Sequence, residues 1–287
     1  MLELNKIYNM NCLYGLKLVD DESIDLVVTS PPYDELRTYN GYSFPFEDIV
    51  QELFRVVKQG GVIVWVVGDG TINGGETLTS FRQALYFQQI GFTIHDTMIY
   101  QKHNSTPNTG NGVRYQQCFE YMFVISKGKP KTVNLLTEPR RNACKDRRTE
   151  RMIRRQRNVD GDFEEIHRYV IKDIVPRQNI WNYKVGLYNT TSDKVAFKHP
   201  AIFPEQLAND HILSWSNEND IVLDPFMGSG TTAKSAILTN RKYIGFEISE
   251  EYCNIANERI NNTLVTLNSG QIISEEKKTE KNKNKLF

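Results

Sequence analysis

A glycine-rich stretch, IVLDPFMGSGTTAKS, has residue types that suit a ligand with charged groups. An apolar run ends at Asp224, and Gly228, Ser229 and Gly230 follow before a helix-like segment begins. Glycines let the backbone pass close to a ligand, and the first N–H groups of a helix lack partners within the helix and attract an anion. The pattern predicts a ligand-binding turn between a strand and a helix.

Different cofactors can occupy such a turn. The ATP-binding pattern G-x-x-x-x-G-K-[ST] requires a glycine directly before its lysine, but Ala233 precedes Lys234 here. The dinucleotide pattern G-x-G-x-x-G/A fits Gly228, Gly230 and Ala233, with Glu247 at the end of the next apolar run. A match of this kind has little specificity. A dinucleotide-binding oxidoreductase therefore stays an alternative, as does a tight turn that binds nothing.

The residues around the glycines favour a ligand with an amino-acid head and no pyrophosphate. Asp224 stands before the Pro225-Phe226 corner, where its carboxylate can meet an ammonium group. The helix start at Thr231-Thr232 can meet a carboxylate. S-Adenosylmethionine is such a ligand, and its ribose hydroxyls can bind Glu247.

A second candidate for chemistry is the proline corner Ser30-Pro31-Pro32-Tyr33, which follows the apolar run Leu26–Thr29. Two prolines fix φ and remove two N–H donors, so the neighbouring carbonyls are held rigidly and can accept hydrogen bonds. Those acceptors and the Tyr33 ring suit a planar ring that carries an exocyclic NH₂ group. Alone, the corner is more often a proline-terminated strand with a core tyrosine. The glycine-rich turn elsewhere in the chain favours the chemical interpretation.

The elements that must position these motifs alternate along the chain. The predicted strands are short apolar runs at Leu26–Thr29, Val62–Val67, Thr97–Tyr100, Tyr121–Ile125, Ile221–Leu223 and Tyr243–Phe246. The predicted helices are FEDIVQELFRVVKQGG, capped by Gly60-Gly61, TTAKSAILTN, and SEEYCNIANERINNTL with its serine cap. This alternation predicts an α/β fold with a doubly wound, mostly parallel sheet of the Rossmann-like kind. The third and fourth runs predict an antiparallel edge hairpin.

The basic residues are concentrated in one segment, although the 287-residue chain has no net charge. Residues 138–157 contain eight arginines and one lysine against three acidic residues, a net charge of +6 that leaves −6 for the remainder. Such a block suits phosphate binding, while a solvated basic helix face or a disordered arm is the alternative. The arginines are Arg140, Arg141, Arg147, Arg148, Arg151, Arg154, Arg155 and Arg157.

Other compositional features exclude several classes of protein. No apolar run reaches the roughly 20 residues that span a bilayer, and the N-terminus lacks the pattern of a secretion signal. The four cysteines lie far apart, so we expect reduced thiols in a cytoplasmic protein and no metal site.

The order of the two motifs carries a family resemblance. TSPPY followed far downstream by DPFMGSGTT resembles the β class of DNA amino-methyltransferases, over roughly residues 5–262. The resemblance implies S-adenosylmethionine as the cofactor. It also implies cofactor contacts from Ile248 and from His199, Pro200, Ala201 and Phe203 of HPAIFPEQL. Asn11 would contact the adenine of the cofactor, at a position where the family often has an acid. WVVGD, ending at Asp69, resembles the strand end that lies close to the cofactor or target base.

The resemblance also implies how the chain is organised and what it acts on. We expect a catalytic half at 1–130, a target-recognition insert at 131–198, a cofactor-binding half at 199–267 and a disordered tail at 268–287. The substrate would be double-stranded DNA, gripped by the arginines, with the target base flipped onto Tyr33. The enzyme would be a monomer or a homodimer and would belong to DNA methylation or restriction-modification.

The identity of the base and the substrate class stay open. Within the resemblance, Ser-Pro-Pro-Tyr is commoner among cytosine-N4 enzymes and Asp- or Asn-Pro-Pro-Tyr among adenine-N6 enzymes, so Ser30 favours cytosine. Both bases present an NH₂ beside a ring nitrogen, and the physical chemistry alone does not separate them. Methylation of RNA or of a protein amide, and a DNA-binding protein without catalysis, are the further alternatives.

Overall fold

The computed structural model describes residues 2–32, 44–103, 114–140, 151–170, 173–186 and 189–283, with the backbone alone at 151–156, 163–170 and 270–283. The chain divides into two compact units, one of residues 1–134 and 179–287 and the other of residues 135–178.

The larger unit is built on an eight-stranded sheet. Its strands are β1 (Lys6–Asn9), β2 (Ile24–Thr29), β3 (Val57–Val67), β6 (Thr93–His103), β7 (Phe119–Ser126), β12 (Ile180–Lys184), β13 (Ile221–Asp224) and β14 (Lys242–Glu247). Two short strands, β4 (Thr71–Ile72) and β5 (Gly75–Glu76), form a separate antiparallel pair.

The sheet runs in the order β1-β14-β13-β2-β3-β7-β6-β12. The first five strands are parallel, and β7 pairs antiparallel with both β3 and β6. This confirms the predicted mostly parallel sheet with an antiparallel hairpin. The sequence did not predict β12, which pairs parallel with β6 and forms the outer edge.

The helices connect and cover these strands. They are α1 (Cys12–Leu16), α2 (Phe46–Val56), α3 (Thr79–Ile90), α4 (Glu205–Trp215), α5 (Thr231–Leu238) and α6 (Glu250–Lys283), with a 3₁₀ helix at Lys194–Lys198. The predicted serine cap of α6 is present, because the Tyr252 N–H donates to Ser249 Oγ at 3.4 Å. Among the described residues, no helix is both long and apolar enough to cross a membrane.

The core follows from the apolar periodicities. Residues 62–67 of β3 are buried on both faces, as expected for a central strand of a covered sheet. On α2, Ile49, Val50, Leu53 and Val56 form the buried face that their spacing predicts. The buried Trp65 indole donates to Gln83 Oε1 at 2.8 Å, which ties α3 to β3.

The predicted helix cap at Gly60-Gly61 is wrong. Helix α2 ends at Val56, and both glycines lie in β3, where Gly60 has φ +80°. The Gly60 N–H donates to Lys127 O at 2.7 Å, and its carbonyl accepts from Lys131 N at 2.9 Å. Pairing with these neighbouring residues therefore determines the conformation of the glycines.

The smaller unit consists of antiparallel strand pairs. Strand β8 (Thr137–Pro139) pairs with β11 (Ile174–Pro176), and β9 (Arg151–Arg157) pairs with β10 (Phe163–Val170). The unit spans residues 135–178, so its bounds are narrower than the predicted insert of 131–198. Residues 151–157 of the basic block are therefore neither a helix face nor an irregular arm, because they form one strand of a hairpin.

The C-terminal segment also differs from its prediction. The sequence predicts a disordered tail at 268–287, whereas α6 continues to Lys283 in the structure. Glutamate and lysine dominate this segment, and both have high helix propensity.

Replacing Gly230 with alanine should destabilise the fold by at least about 2 kcal/mol. Gly230 has φ +81°, and a Cβ placed there would lie 2.9 Å from Ala256 Cβ of α6. Gly74→Ala is the matched control, because Gly74 has φ +79° and nothing lies within 4 Å of the position that its methyl group would take. Urea unfolding should show a clearly larger loss for G230A. Equal losses would show that the contact with α6 is unimportant.

Candidate active site

Five parallel strands end at one edge of the sheet, and the predicted motifs follow these ends. β1, β14, β13, β2 and β3 end at Asn9, Glu247, Asp224, Thr29 and Val67. Ligands of open α/β sheets bind outside the carboxyl ends of the strands. The fold thus brings the glycine-rich turn and the proline corner to one candidate site, although 195 residues separate Thr29 from Asp224.

Asp224 links the two motifs directly. Its buried Oδ1 accepts a hydrogen bond from Thr29 Oγ1 at 2.6 Å, and another from the Phe226 N–H at 3.0 Å. Burial raises the pKa of Asp224 to about 6, although hydrogen bonds from Thr29, Thr232 and Phe226 act in the opposite direction. Among the described residues no lysine or arginine forms an ion pair with this carboxylate, so a cationic group would stabilise its charged form.

The glycine-rich turn is held by Glu247. Gly228 has φ +51°, and its N–H donates to Glu247 Oε2 at 2.8 Å. The Ser249 N–H donates to the other oxygen, Oε1, at 2.8 Å. Burial raises the pKa of Glu247, and these backbone donors partly offset the shift. Glu247 therefore fixes the turn, and each oxygen keeps capacity for a further donor.

The start of α5 is buried beneath the same turn. Gly230 precedes the helix in the left-handed conformation, and Thr231 and Thr232 form its first turn. Thr232 Oγ1 donates to Val28 O of β2 at 3.1 Å. The first N–H groups of α5 therefore lie next to the strand that leads into the proline corner, where they can attract an anionic group.

The segment that contains His199 reaches the glycine-rich turn. A Cβ added to Gly228 would lie 3.1 Å from His199 Nε2, and the His199 ring lies 4.3 Å from the Tyr252 ring. The Ala201 N–H donates to His199 Nδ1 at 3.1 Å, so the neutral ring carries its proton on Nε2. Pro200 is exposed, while Ala201 and Phe203 are half-buried on the loop before α4.

The described part of the proline corner ends at Pro32. Pro31 is buried, Ser30 and Pro32 are half-buried, and Tyr33 lies outside the described residues. The chain is described again from Phe44, whose ring lies 5.5 Å from Phe226 in an edge-to-face arrangement. Phe44 thus packs against Phe226 of the glycine-rich turn.

Two asparagines near the end of β1, Asn9 and Asn11, make different hydrogen bonds. Asn11 Oδ1 accepts from the Leu13 N–H at 2.9 Å, so the predicted adenine contact caps α1. Asn9, which the sequence did not single out, donates through Nδ2 to the carbonyls of Glu247 at 2.9 Å and Ile248 at 3.1 Å. Its position at a strand end was the signal that could have identified it.

A cavity of about 320 Å³ lies beyond β3 at the same edge of the sheet. It is lined by Asp69, Gly70, Thr71, Glu76, Gln117, Phe119 and Tyr121. The Asp69 carboxylate accepts from Ser80 N at 2.8 Å and Ser80 Oγ at 2.5 Å, which fixes its orientation. The sequence did not identify Phe119 and Tyr121 of β7 as site residues, because aromatic residues are common in strands.

The sequence also missed a cluster of four charges next to the glycine-rich turn, in which both cations are buried. Arg259 of α6 and Lys234 of α5 both form ion pairs with Asp193 and Glu205. Arg259 additionally donates to the Ser229 carbonyl at 2.6 Å. These residues lie far apart in the sequence, and each alone resembles a surface charge.

The predicted DNA-binding arginines fall in the smaller unit. Arg140 follows β8, and Arg151, Arg154, Arg155 and Arg157 lie on β9. The remaining three, Arg141, Arg147 and Arg148, are outside the described residues. In the hairpin register, Arg155 is opposite Glu165 and Arg154 is opposite His167.

Comparison with known proteins gives matches over most of the chain. A family model for N6 and N4 methyltransferases, described as DNA methylase, matches residues 24–258. The orphan methyltransferase M.BamHII of Bacillus amyloliquefaciens is 58% identical over 248 residues, which cover 86% of this chain and 92% of that protein.

Solved structures show the same fold. PvuII DNA methyltransferase, described as cytosine-N4-specific, aligns with a TM-score of 0.64 and 18% identity over 90% of each chain. TTHA0409 of Thermus thermophilus, complexed with S-adenosyl-L-methionine, aligns with a TM-score of 0.57 and 23% identity over 90% of this chain and 95% of that one. Because the family model spans most of the sequence, this chain belongs to the DNA methylase family of S-adenosylmethionine-dependent amino-methyltransferases.

Proposed function

We propose that this enzyme methylates the exocyclic amino group of a flipped base in double-stranded DNA, with cytosine N4 favoured over adenine N6. The observation that carries the proposal is the hydrogen bond between Thr29 and Asp224, at 2.6 Å. Thr29 immediately precedes the proline corner, and Asp224 begins the glycine-rich turn. A cofactor on the turn and a base at the corner would therefore lie next to each other.

The cofactor site would be formed by residues that fit the charges of S-adenosylmethionine. Asp224 is a buried carboxylate without a cationic partner among the described residues, and it would bind the ammonium group. The first turn of α5, at Thr231-Thr232, would bind the carboxylate. Glu247 would accept hydrogen bonds from the ribose hydroxyls, and His199 would lie against the methionine portion near Gly228.

The remaining cofactor contacts follow from the same arrangement. Residues of the turn and of the neighbouring loops would surround the ligand through backbone and apolar contacts. These are Pro225, Phe226, Gly228, Ser229, Gly230, Ile248, Pro200, Ala201 and Phe203. Asn11 is a weaker candidate, because its side-chain oxygen already caps α1.

At the proline corner, the carbonyls beside Pro31 and Pro32 would accept the N–H bonds of the base. These acceptors polarise the N–H bonds and increase the electron density on the nitrogen, which makes its lone pair a better nucleophile. The nitrogen would attack the methyl carbon of S-adenosylmethionine, so that an N–C bond would form while the C–S bond breaks with its electrons moving to sulfur, and one N–H proton would pass to water. Tyr33 would stack on the ring, and no covalent bond to the protein is required.

The cavity beyond β3 supports a place for the base beside the corner. Its walls combine the Phe119 and Tyr121 rings with the Asp69 carboxylate and the Gln117 amide. Aromatic faces and hydrogen-bonding groups together suit a nucleobase. The volume of about 320 Å³ is at the lower end of the range for small-molecule sites.

Double-stranded DNA as the substrate is supported by family membership and by the basic strand β9 of the β9–β10 hairpin. A two-stranded ribbon fits the major groove, and arginine is suited both to phosphates and to guanine edges. Cytosine is favoured by Ser30, through the family resemblance. Adenine N6 is the main alternative. The basic strand β9 argues against a protein amide, and family membership favours DNA over RNA.

The direct test is incubation of the enzyme with methyl-labelled S-adenosylmethionine and unmethylated duplex DNA, followed by nucleoside digestion and mass spectrometry. We expect labelled N4-methylcytosine. Labelled N6-methyladenine would support methyl transfer and reject the interpretation of Ser30. No labelled nucleoside from an enzyme that binds the cofactor would reject DNA as the acceptor.

Binding of S-adenosylmethionine should weaken below pH 6. The pKa of Asp224 is raised to about 6 by burial, so the carboxylate that binds the ammonium is lost as the pH falls through this value. Affinity from calorimetry should decrease roughly tenfold per pH unit there, because binding then releases one proton. Asp224→Asn should bind weakly at every pH, without this dependence. Retention of wild-type affinity by D224N would contradict the assignment.

Replacing Tyr33 with alanine should lower methyl transfer about 5- to 150-fold, which corresponds to the loss of one stacked base. Cofactor affinity should not change, because the ring is assigned to the base. Tyr33→Phe retains the ring and is the matched control, expected to keep most of the activity. Comparable losses in both variants would indicate a role for the hydroxyl group rather than for stacking.

A further inference from the structure

The four-charge cluster beside the glycine-rich turn is a closed, neutral group. Arg259 has no exposed side-chain area, and Lys234 is 10% exposed. Arg259 Nε lies 3.0 Å from Asp193 Oδ2, and its Nη2 lies 2.6 Å from Glu205 Oε1. Lys234 Nζ lies 2.7 Å and 2.9 Å from the same two oxygens. Two buried cations thus share two partly buried carboxylates, Asp193 and Glu205.

The carboxylates stand at the two ends of one connecting segment, residues 193–205. This segment contains the 3₁₀ helix Lys194–Lys198 and His199, whose Nε2 would lie 3.1 Å from a Cβ added to Gly228. The cations come from α5 and α6, which are separate elements. The ion pairs therefore fasten both ends of the 193–205 segment to the helices that flank the glycine-rich turn.

Arg259 differs from Lys234 because it also binds the turn. Its Nη1 donates to the Ser229 carbonyl at 2.6 Å, to Ser229 Oγ at 3.0 Å and to Thr231 Oγ1 at 3.2 Å. The side-chain contacts of Lys234 are with the two carboxylates. The planar guanidinium has donors in a fixed fork, so one group holds the segment and the turn in a defined relation.

The charge states of the cluster keep it intact at neutral pH. Burial raises the pKa of Asp193, but hydrogen bonds from Lys234 and Arg259 outweigh that effect and hold its pKa below the usual value. Arginine does not lose its proton in proteins. Removing one member would leave the cluster with an unbalanced charge, so informative variants must conserve the charge balance.

We infer that Arg259 is a positioning residue that orders two walls of the cofactor pocket, the glycine-rich turn and the 193–205 segment, before the cofactor binds. The inference rests on the proposed cofactor site at this turn. Arg259 is buried behind Ser229 and Thr231 and acts through them, so it has no direct role in methyl transfer.

The test compares two charge-conserving variants, Arg259→Lys and Lys234→Arg. Arg259→Lys retains a cation but loses the fork that reaches the Ser229 carbonyl. We expect its dissociation constant for S-adenosylmethionine, from calorimetry, to rise about tenfold or more, since a charge-assisted hydrogen bond is lost. Lys234→Arg should stay within about twofold of the wild type. Equal effects of the two variants on affinity would overturn the inference.

Hydrogen exchange of the ligand-free proteins gives a second readout that does not depend on the cofactor. Amides of residues 228–232 should exchange faster in Arg259→Lys than in the wild type and in Lys234→Arg. Unchanged exchange would overturn the inference. A wild-type enzyme that binds the cofactor but methylates no DNA would contradict the proposed function and leave this result standing.

If Arg259→Lys does not fold, two double variants provide an alternative test. Arg259→Gln with Glu205→Gln and Lys234→Gln with Glu205→Gln each remove one cation and the same carboxylate, so both remain neutral. Only the first pair loses the contacts with Ser229 and Thr231. We expect weaker cofactor binding and faster exchange of the turn in the first pair alone. Matching behaviour of the two pairs would show that the cluster contributes stability without positioning the turn.

Discussion

The buried hydrogen bond from Thr29 Oγ1 to Asp224 Oδ1 is the interaction on which the candidate site depends. It exists because β2 and β13 are neighbouring parallel strands whose carboxyl ends lie side by side. Val222 pairs with Leu26 and Leu223 with Val27, so in this register Asp224 follows level with Val28, one residue before Thr29. The Thr29 and Asp224 side chains therefore meet at the ends of the two strands rather than as a directly opposed pair.

The surrounding residues preserve this arrangement on the cofactor side. Glu247, at the end of the adjacent β14, fixes Gly228 through its backbone N–H. Arg259 donates a hydrogen bond to the carbonyl of the next residue, Ser229, and forms an ion pair with Asp193, so it joins the turn to the 193–205 segment. The site thus combines a raised pKa at Asp224 with a turn that hydrogen bonds within the protein hold in place. Preorganisation of this kind reduces the entropy that binding must overcome.

The sequence predicted the sheet and the two motifs because both have local signals. Apolar runs identified six of the strands, and proline and glycine residues marked the two turns. Elsewhere, long-range strand pairing made a local prediction wrong, because Gly60-Gly61 resembles a helix cap but lies in β3. Strand β12 was not predicted because only two of its residues, Trp181 and Tyr183, are buried and the rest of the strand is exposed. The Arg259 cluster depends on residues up to 66 positions apart, which no local pattern connects.

The central claim is that the glycine-rich turn and the proline corner form one site for methyl transfer. The most direct measurement is a crystal structure of the enzyme with S-adenosylmethionine, from which the position of the transferable methyl carbon can be read. We expect the ammonium group at Asp224 and the methyl carbon facing Ser30 and Pro31, leaving a gap that places a base nitrogen at a reactive distance of about 3–3.5 Å. A methyl group directed away from the corner, or a cofactor bound elsewhere, would contradict the account.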